Sequence, residues 1–102
     1  VIGWYLERYH RGKDNAIGGH ALAKRMEFGN IREVQAQVEQ ERQNGHPICS
    51  APGIGYWYPT SLEDADHCIA WLKDMGAKHM RDARLIEDAL AEDGQAVLFG
   101  EG

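Results

Sequence analysis

Apolar residues recur every three or four positions through most of this chain, the period of helices that bury one face. In IGWYLERYHRG, Ile2, Tyr5, Leu6 and Tyr9 share such a face. They predict a first helix, stopped by Gly12 just past its end, where a left-handed residue commonly closes a helix. After a polar connector at Asp14-Asn15, Ala21, Leu22 and Met26 mark a second helix from about Gly18 or Gly19 to Met26. Lys24 and Arg25 stand near its C-terminal end, where cations suit the helix dipole. Phe28 is expected to plug the core in the following turn, with Gly29 supplying backbone freedom. Asn30 and Glu33, three residues apart, form a capping box for a third helix over residues 30–44, with Ile31, Val34 and Val38 pointing inward. Position 41 continues that inward stripe yet holds Glu41. Either the helix lifts off the core there, or Glu41 meets a cation such as Arg42 or His46. Gly45 and Pro47 end the helix.

Beyond it, Ile48 to Ser50 and Gly55 to Tyr58 read as two short strands around the turn Ala51-Pro52-Gly53-Ile54. From Ser61, a good cap, the pattern changes again. Leu62, Ala65, Ile69, Leu72, Gly76, His79, Ala83, Ile86 and Leu90 follow alternating spacings of three and four, a heptad seam. It predicts one long helix bending near Gly76, or two helices meeting there. The stretch 93–102 reads as a tail that docks on a partner or stays disordered. The expected fold is therefore mostly α with a small β-hairpin. Two helices about a four-residue break, then a hairpin, is the order of a winged helix-turn-helix, here followed by a long C-terminal helix. The division is residues 1–60 for that domain, 61–92 for a helix that oligomerises, and 93–102 for the tail. Leu62, Ile69, Leu72, Gly76, Ile86 and Leu90 are the expected dimerisation residues.

The chain has 102 residues, 43% hydrophobic, the length of one small domain. No apolar run approaches a membrane span, and the first residues lack a signal-peptide pattern. Val1 stands where an initiator methionine is expected, so the initiator was removed or the sequence was trimmed. Cys49 and Cys68 fit a reduced intracellular protein better than a disulfide scaffold. The expected location is cytoplasmic, in a bacterial host cell.

Net charge is −5, against nucleic acid on its face, but the distribution is uneven. Arg8 to Ser50 carries seven Lys/Arg against five Asp/Glu, whereas residues 51–102 carry four against ten. One face alone is thus suited to phosphate. With Val34 and Val38 inward, the third helix turns Arg32, Ala36, Glu39, Gln40 and Gln43 outward, flanked by Glu33, Gln35 and Gln37. Arg pairs with guanine, Gln with adenine and Ala meets a thymine methyl, so Arg32, Gln35, Ala36 and Gln40 are the candidates for base readout. Arg11, Lys13, Lys24, Arg25, Arg42 and His46 are the candidates for phosphate. The alternative for the third helix is a solvated face of good helix formers, and Glu39 and Glu41 oppose phosphate. Tyr56, Trp57 and Tyr58 suit stacking on bases, but aromatics in a short strand are more often core.

Chemistry beyond binding is thin. His10, His20, His46, His67 and His79 with the two cysteines lack paired ligand spacing, since His46-x-x-Cys49 and His67-Cys68 do not make a zinc site. No glycine loop opens a helix at phosphate-binding spacing, and neither cysteine has an activating neighbour in sequence. No metal, no cofactor and no catalytic residue are expected.

The segments GKDNAIGGHALAKRM, IREVQAQVEQERQNG and above all GHPICSAPGIGYWYP resemble small winged-helix proteins encoded by bacteriophages and prophages, over about four-fifths of the chain. The resemblance implies a DNA-binding regulator or replication-associated factor, with Arg32, Gln35 and Ala36 on the DNA-facing first turns of the third helix. The chain departs from that pattern at Glu41, where the family favours Leu, and in its glutamines, where the family tends to be basic. The expectation is a non-enzymatic protein that binds double-stranded DNA as a homodimer. The alternative is a protein-protein interaction module on the same scaffold.

Overall fold

A computed structural model describes residues 1–101, with the backbone alone described at residues 77, 78 and 92–101. Its elements are α1 (Ile2–Tyr9), α2 (Gly19–Arg25), α3 (Ile31–Gln43), β1 (Cys49–Ala51), β2 (Gly55–Trp57), α4 (Leu62–Asp74) and α5 (Ala77–Glu101). It is mostly helical with a small antiparallel hairpin, as the residue pattern predicts. In the C-terminal part the second of the two expectations is found: two helices meet at Gly76, at φ +103°, and α5 folds back along α4 where a single long helix was the other expectation. The seam therefore closes within one chain: Ala65, Ile69, Leu72, Ala83 and Ile86 are buried together, with Leu90 packed against them. Of the expected dimerisation residues Leu62, Ile69, Leu72, Gly76, Ile86 and Leu90, this corrects the assignment of Ile69, Leu72, Ile86 and Leu90, which pack inside the chain. Leu62 is left 45% exposed. Packing also crosses the boundary expected at residue 60, because α4 packs on β1 and α5 on α3. The expected tail is helical backbone to Glu101, and whether its side chains dock lies outside the described residues.

The hairpin partitions two cores, and strand alternation explains how. Cys49, Ala51 and Trp57 point to the α4–α5 side, whereas Tyr56 and Tyr58 pack with Ile2, Leu6, Leu22, Val34 and Val38 of α1, α2 and α3. The aromatics of β2 are thus core on both faces. Cys49 and Cys68, on β1 and α4, meet in the first core. The Cys68 sulfur accepts a hydrogen bond from the Ser50 amide at 3.2 Å. The adjoining Cys68 sulfur and burial push the Cys49 thiol above its ordinary range. Each cysteine's neighbour is the other, which the sequence alone conceals.

β2 carries more than β1. On its other edge Ile17, in the segment leading to α2, pairs antiparallel with Tyr56: Ile17 N–H to Tyr56 O is 2.9 Å and Tyr56 N–H to Ile17 O is 2.7 Å. Gly12 N–H also reaches Tyr58 O at 2.8 Å and Tyr58 N–H reaches His10 O at 3.0 Å, so the α1–α2 connector pairs at both of its ends with β2 and the residue after it, with a 3-10 turn at Lys13–Asn15 between. Asp64, in the first turn of α4, accepts from the Lys13 amide at 3.1 Å and the Thr60 amide at 3.2 Å. One carboxylate thereby ties the connector to the start of α4, which Ser61 caps by accepting from Asp64 N–H.

Details in the helices differ from the periodic expectation. α1 buries Ile2, Gly3 and Leu6, but Tyr9 is its last residue, is 61% exposed and leans on Tyr5. No further turn follows to cover it. In α2 the buried pair is Leu22 and Ala23, with Ala21 outside. In the α2–α3 turn it is Glu27, at φ +60°, that adopts the left-handed conformation, and Gly29 instead donates its N–H to Glu33 at 2.6 Å. The expected cap holds: Asn30 accepts from the Glu33 amide at 3.0 Å.

The Ile17–Tyr56 pairing dictates one glycine. At Gly55, φ is +107° and an added Cβ would collide with the Ile17 carbonyl oxygen, whereas Gly53, at φ +78°, faces open space. Gly55→Ala is expected to destabilise by more than about 2 kcal/mol and Gly53→Ala by about 1 kcal/mol. Urea midpoints of the two variants check this, and equal shifts would contradict the close approach.

Candidate nucleic-acid interface

Among the described residues, the outer side of α3 is a long exposed face that carries several polar side chains. Val34 and Val38 are fully or nearly fully buried, so 100° steps carry Arg32, Gln35, Ala36 and Gln40 outward, and all four are exposed. Glu39 and Gln43 share that exposure. Gln35 sits at the rim of a hollow of ≈ 500 Å³ between the start of α2, the first turn of α3 and the hairpin, bounded by Ile54, Tyr56 and Trp71. A second hollow of ≈ 330 Å³ continues from Gln35 past Glu39 to Met75 and His79. Together they form a groove between α3 and the α4–α5 pair, with Ser50 and Tyr56 in its floor.

The phosphate candidates separate into two groups. Arg11, Lys24, Arg25 and His46 are exposed and Lys13 is half-buried. Arg42 is not available. It is 6% exposed and its guanidinium donates to Ile48 O at 2.8 Å, Ser50 Oγ at 3.1 Å and Asp82 Oδ2 at 3.4 Å. Asp82 is 5% exposed. Arg42 is thus a buried tie between α3, β1 and α5, which corrects its assignment to phosphate. The physical cause is position: residue 42 lies four after Val38, on the edge of the inward stripe, so its side chain enters the protein. The same spacing contains the signal that the sequence reading missed, because a charge on a buried stripe requires a buried partner.

Glu41 is corrected likewise. Neither Arg42 nor His46 is its partner, and the helix does not lift away. Its carboxylate accepts from Ile2 N–H at 2.9 Å, Gly3 N–H at 2.7 Å, Gln37 Nε2 at 2.8 Å and the Val1 amino group at 3.0 Å. An anion at the N-terminus of α1 satisfies donors that lack partners within the helix and suits its dipole. Burial opposes the charge, yet these hydrogen bonds prevail and hold the Glu41 carboxyl below its ordinary value. Glu33, engaged in the α3 cap, is also accounted for. Glu39 remains an exposed anion on the outer face of α3.

Among the described residues, no group of three or more His, Cys, Asp or Glu is arranged to hold a metal ion, and no helix is long and apolar enough to cross a membrane. Comparison with protein-family models, curated proteins and solved structures finds no match to this chain.

Two outcomes separate structural charges from surface ones. Arg42→Ala leaves Asp82 buried and unpaired, so it is expected to cost about 3–5 kcal/mol, while Lys24→Ala or Arg25→Ala stays within about 0.5 kcal/mol. Chemical denaturation decides, and an Arg42→Ala variant as stable as the parent would return that residue to the surface set. For Glu41, a lowered folded-state pKa means stability that is present above the ordinary carboxylate pKa and lost as pH falls through the folded value. Glu41→Gln is therefore expected to lose roughly 2 kcal/mol at neutral pH. Its deficit relative to the parent should shrink in strongly acidic buffer, read from urea midpoints across that range.

Proposed function

We propose that this chain is a winged helix-turn-helix module that binds double-stranded DNA, with α3 in the major groove and the β1–β2 hairpin as the wing. The observation that carries the reading is the chain order α1, paired segment at Ile17, α2, α3, β1, β2, with Ile17 hydrogen-bonded to Tyr56 on the edge of β2 opposite β1. That is the connectivity of a small three-stranded sheet behind a helix-turn-helix. The exposed row of Arg32, Gln35, Ala36 and Gln40 supplies donors, acceptors and a methyl-sized contact for base edges. Arg11, Lys13, Lys24, Arg25 and His46 are the phosphate contacts in this reading. The wing tip, Pro52 and Gly53, has no cation and approaches the duplex by backbone alone. The biological setting that fits is regulation or replication in a phage or prophage, in a bacterial cytoplasm, without catalysis.

With the heptad residues packed inside one chain, the reading no longer uses α4 and α5 as a dimer seam. Binding by a single unit follows. Few cations face outward, so affinity is modest and the salt dependence shallow.

A second reading is favoured by one observation. The groove beside α3 has an apolar wall at Trp71, Ile54 and Met75, against which a peptide of another protein would pack, with Glu39 at its edge. On that reading DNA is not the ligand.

The test is selection of the purified chain on a random-sequence duplex pool, at low and moderate salt. Enrichment of one short site is expected, with log affinity falling against log salt at a slope of roughly −3 to −4 if Arg11, Lys24, Arg25 and Arg32 meet phosphate or base. Arg32→Ala with Gln35→Ala should reduce preference for the selected site by about 10- to 100-fold. Absence of duplex binding at low salt would sink the DNA reading and favour the groove.

A further inference from the structure

α1 displays Trp4, Arg8 and Tyr9 on a face that neither the core nor the duplex reading uses, with Tyr5 at its edge packed on the core. Steps of 100° along the helix place Trp4, Arg8, Tyr5 and Tyr9 in that order within an arc of roughly 140°. Glu7 lies outside the arc, on the far side of Trp4. Trp4 is 68% exposed and Tyr9 61%, and an exposed indole and phenol on one short helix are not explained by packing. The Tyr5 and Tyr9 rings lie 5.1 Å apart, the His10 ring is 5.5 Å from Tyr5, and the Arg8 guanidinium stands 5.8 Å from the centre of the Tyr9 ring. Arg25, at the end of α2, completes a hollow of ≈ 490 Å³ with Tyr5, Tyr9 and His10. No carboxylate lines that hollow, in a chain whose net charge is −5.

We propose that this face binds single-stranded nucleic acid, with bases stacking on Trp4 and Tyr9 and the sugar-phosphate backbone running past Arg8 and Arg25. Each part of the face answers one part of that ligand. The exposed Trp4 indole and the Tyr9 ring, with Arg8 standing over one of its faces, accept unpaired bases of any sequence, and the neighbouring guanidiniums neutralise phosphates. A duplex offers no free base faces to Trp4 and Tyr9, so the site is distinct in chemistry from the α3 row. An acidic protein segment would satisfy the arginines but leave the two rings without planar partners. The single strand is the ligand that uses both.

The test uses the full chain and a fluorescein-labelled oligothymidylate of about 20 nucleotides, followed by anisotropy in low salt. Trp4→Ala and Tyr9→Ala are each expected to weaken binding about 5- to 100-fold, the range for loss of one stacked base. Both residues are exposed, so unchanged thermal midpoints should show intact folds. Arg8→Ala should weaken binding and flatten its salt dependence. Arg32→Ala with Gln35→Ala should leave it unchanged, which separates this site from duplex recognition whether or not the duplex is bound. Absence of oligothymidylate binding overturns the proposal, as does equal binding by the Trp4 and Tyr9 variants. So does polyglutamate of the same length competing as well as unlabelled oligonucleotide, because charge alone would then suffice.

Discussion

Arg42 and Asp82 bury opposite charges at the point where the two cores adjoin, and the relative position of the two halves rests on that pair. Hydrophobic burial holds each half together but is non-directional, and it does not fix how α5 meets α3. The guanidinium does. Its planar fork addresses Ile48 O, Ser50 Oγ and Asp82 at once, so β1 and α5 are set relative to a single side chain of α3. Buried ion pairs add little net stability, but a mispaired one is costly, and this favours one arrangement over its neighbours. The next residue, Glu41, does the same in another direction by holding the first turn of α1. Two consecutive charged residues thus anchor α3 to elements on two sides.

This arrangement explains which features were legible in the sequence. Local chemistry was: Asn30 and Ser61 are caps because their side chains and the amides they bond are three residues apart. The hairpin was legible from glycine, proline and aromatic content, and the break near Gly76 from a glycine within a helical pattern. What escaped were contacts between residues far apart in the chain. A heptad seam states that a helix has a partner, not whether the partner is another chain or the next helix, and the left-handed backbone of Gly76 decides that question here. Ile17 pairs with Tyr56 through backbone atoms, which leave no trace in side-chain periodicity. Arg42 sets a charge that favours the surface against a position on the inward stripe, and only its partner Asp82, forty residues away, shows that position prevails.

The same distinction bears on the candidate sites. The outward residues of α3 follow from Val34 and Val38 alone, so Arg32, Gln35, Ala36 and Gln40 were found without the fold. The groove beside them was not, because Trp71 and Met75 reach it only after α4 has packed on β1. α4 therefore has two effects on the proposed reading face. It buttresses the hairpin from behind through Cys68 and Ala65, and it raises an apolar wall beside Gln35 and Glu39.

Charge placement then follows from packing. Among the described side chains, the acidic residues Glu63, Asp66, Asp74, Glu87 and Asp88 ride on α4 and α5 or border them, and these helices pack on β1 and α3, so their negative charge belongs to the same folded unit as the proposed duplex face. Glu39 adds to it from α3 itself. Such a field disfavours non-specific phosphate contact along the α4–α5 side, while Arg11, Lys24 and Arg25 lie in the N-terminal half that carries the positive balance. At about 8–10 Å in physiological salt, screening confines each influence to its own side of so small a domain. On the proposed DNA reading, this asymmetry favours approach of a duplex to α3 from the α1–α2 side over approach from the α4–α5 side, even though the chain as a whole is negative.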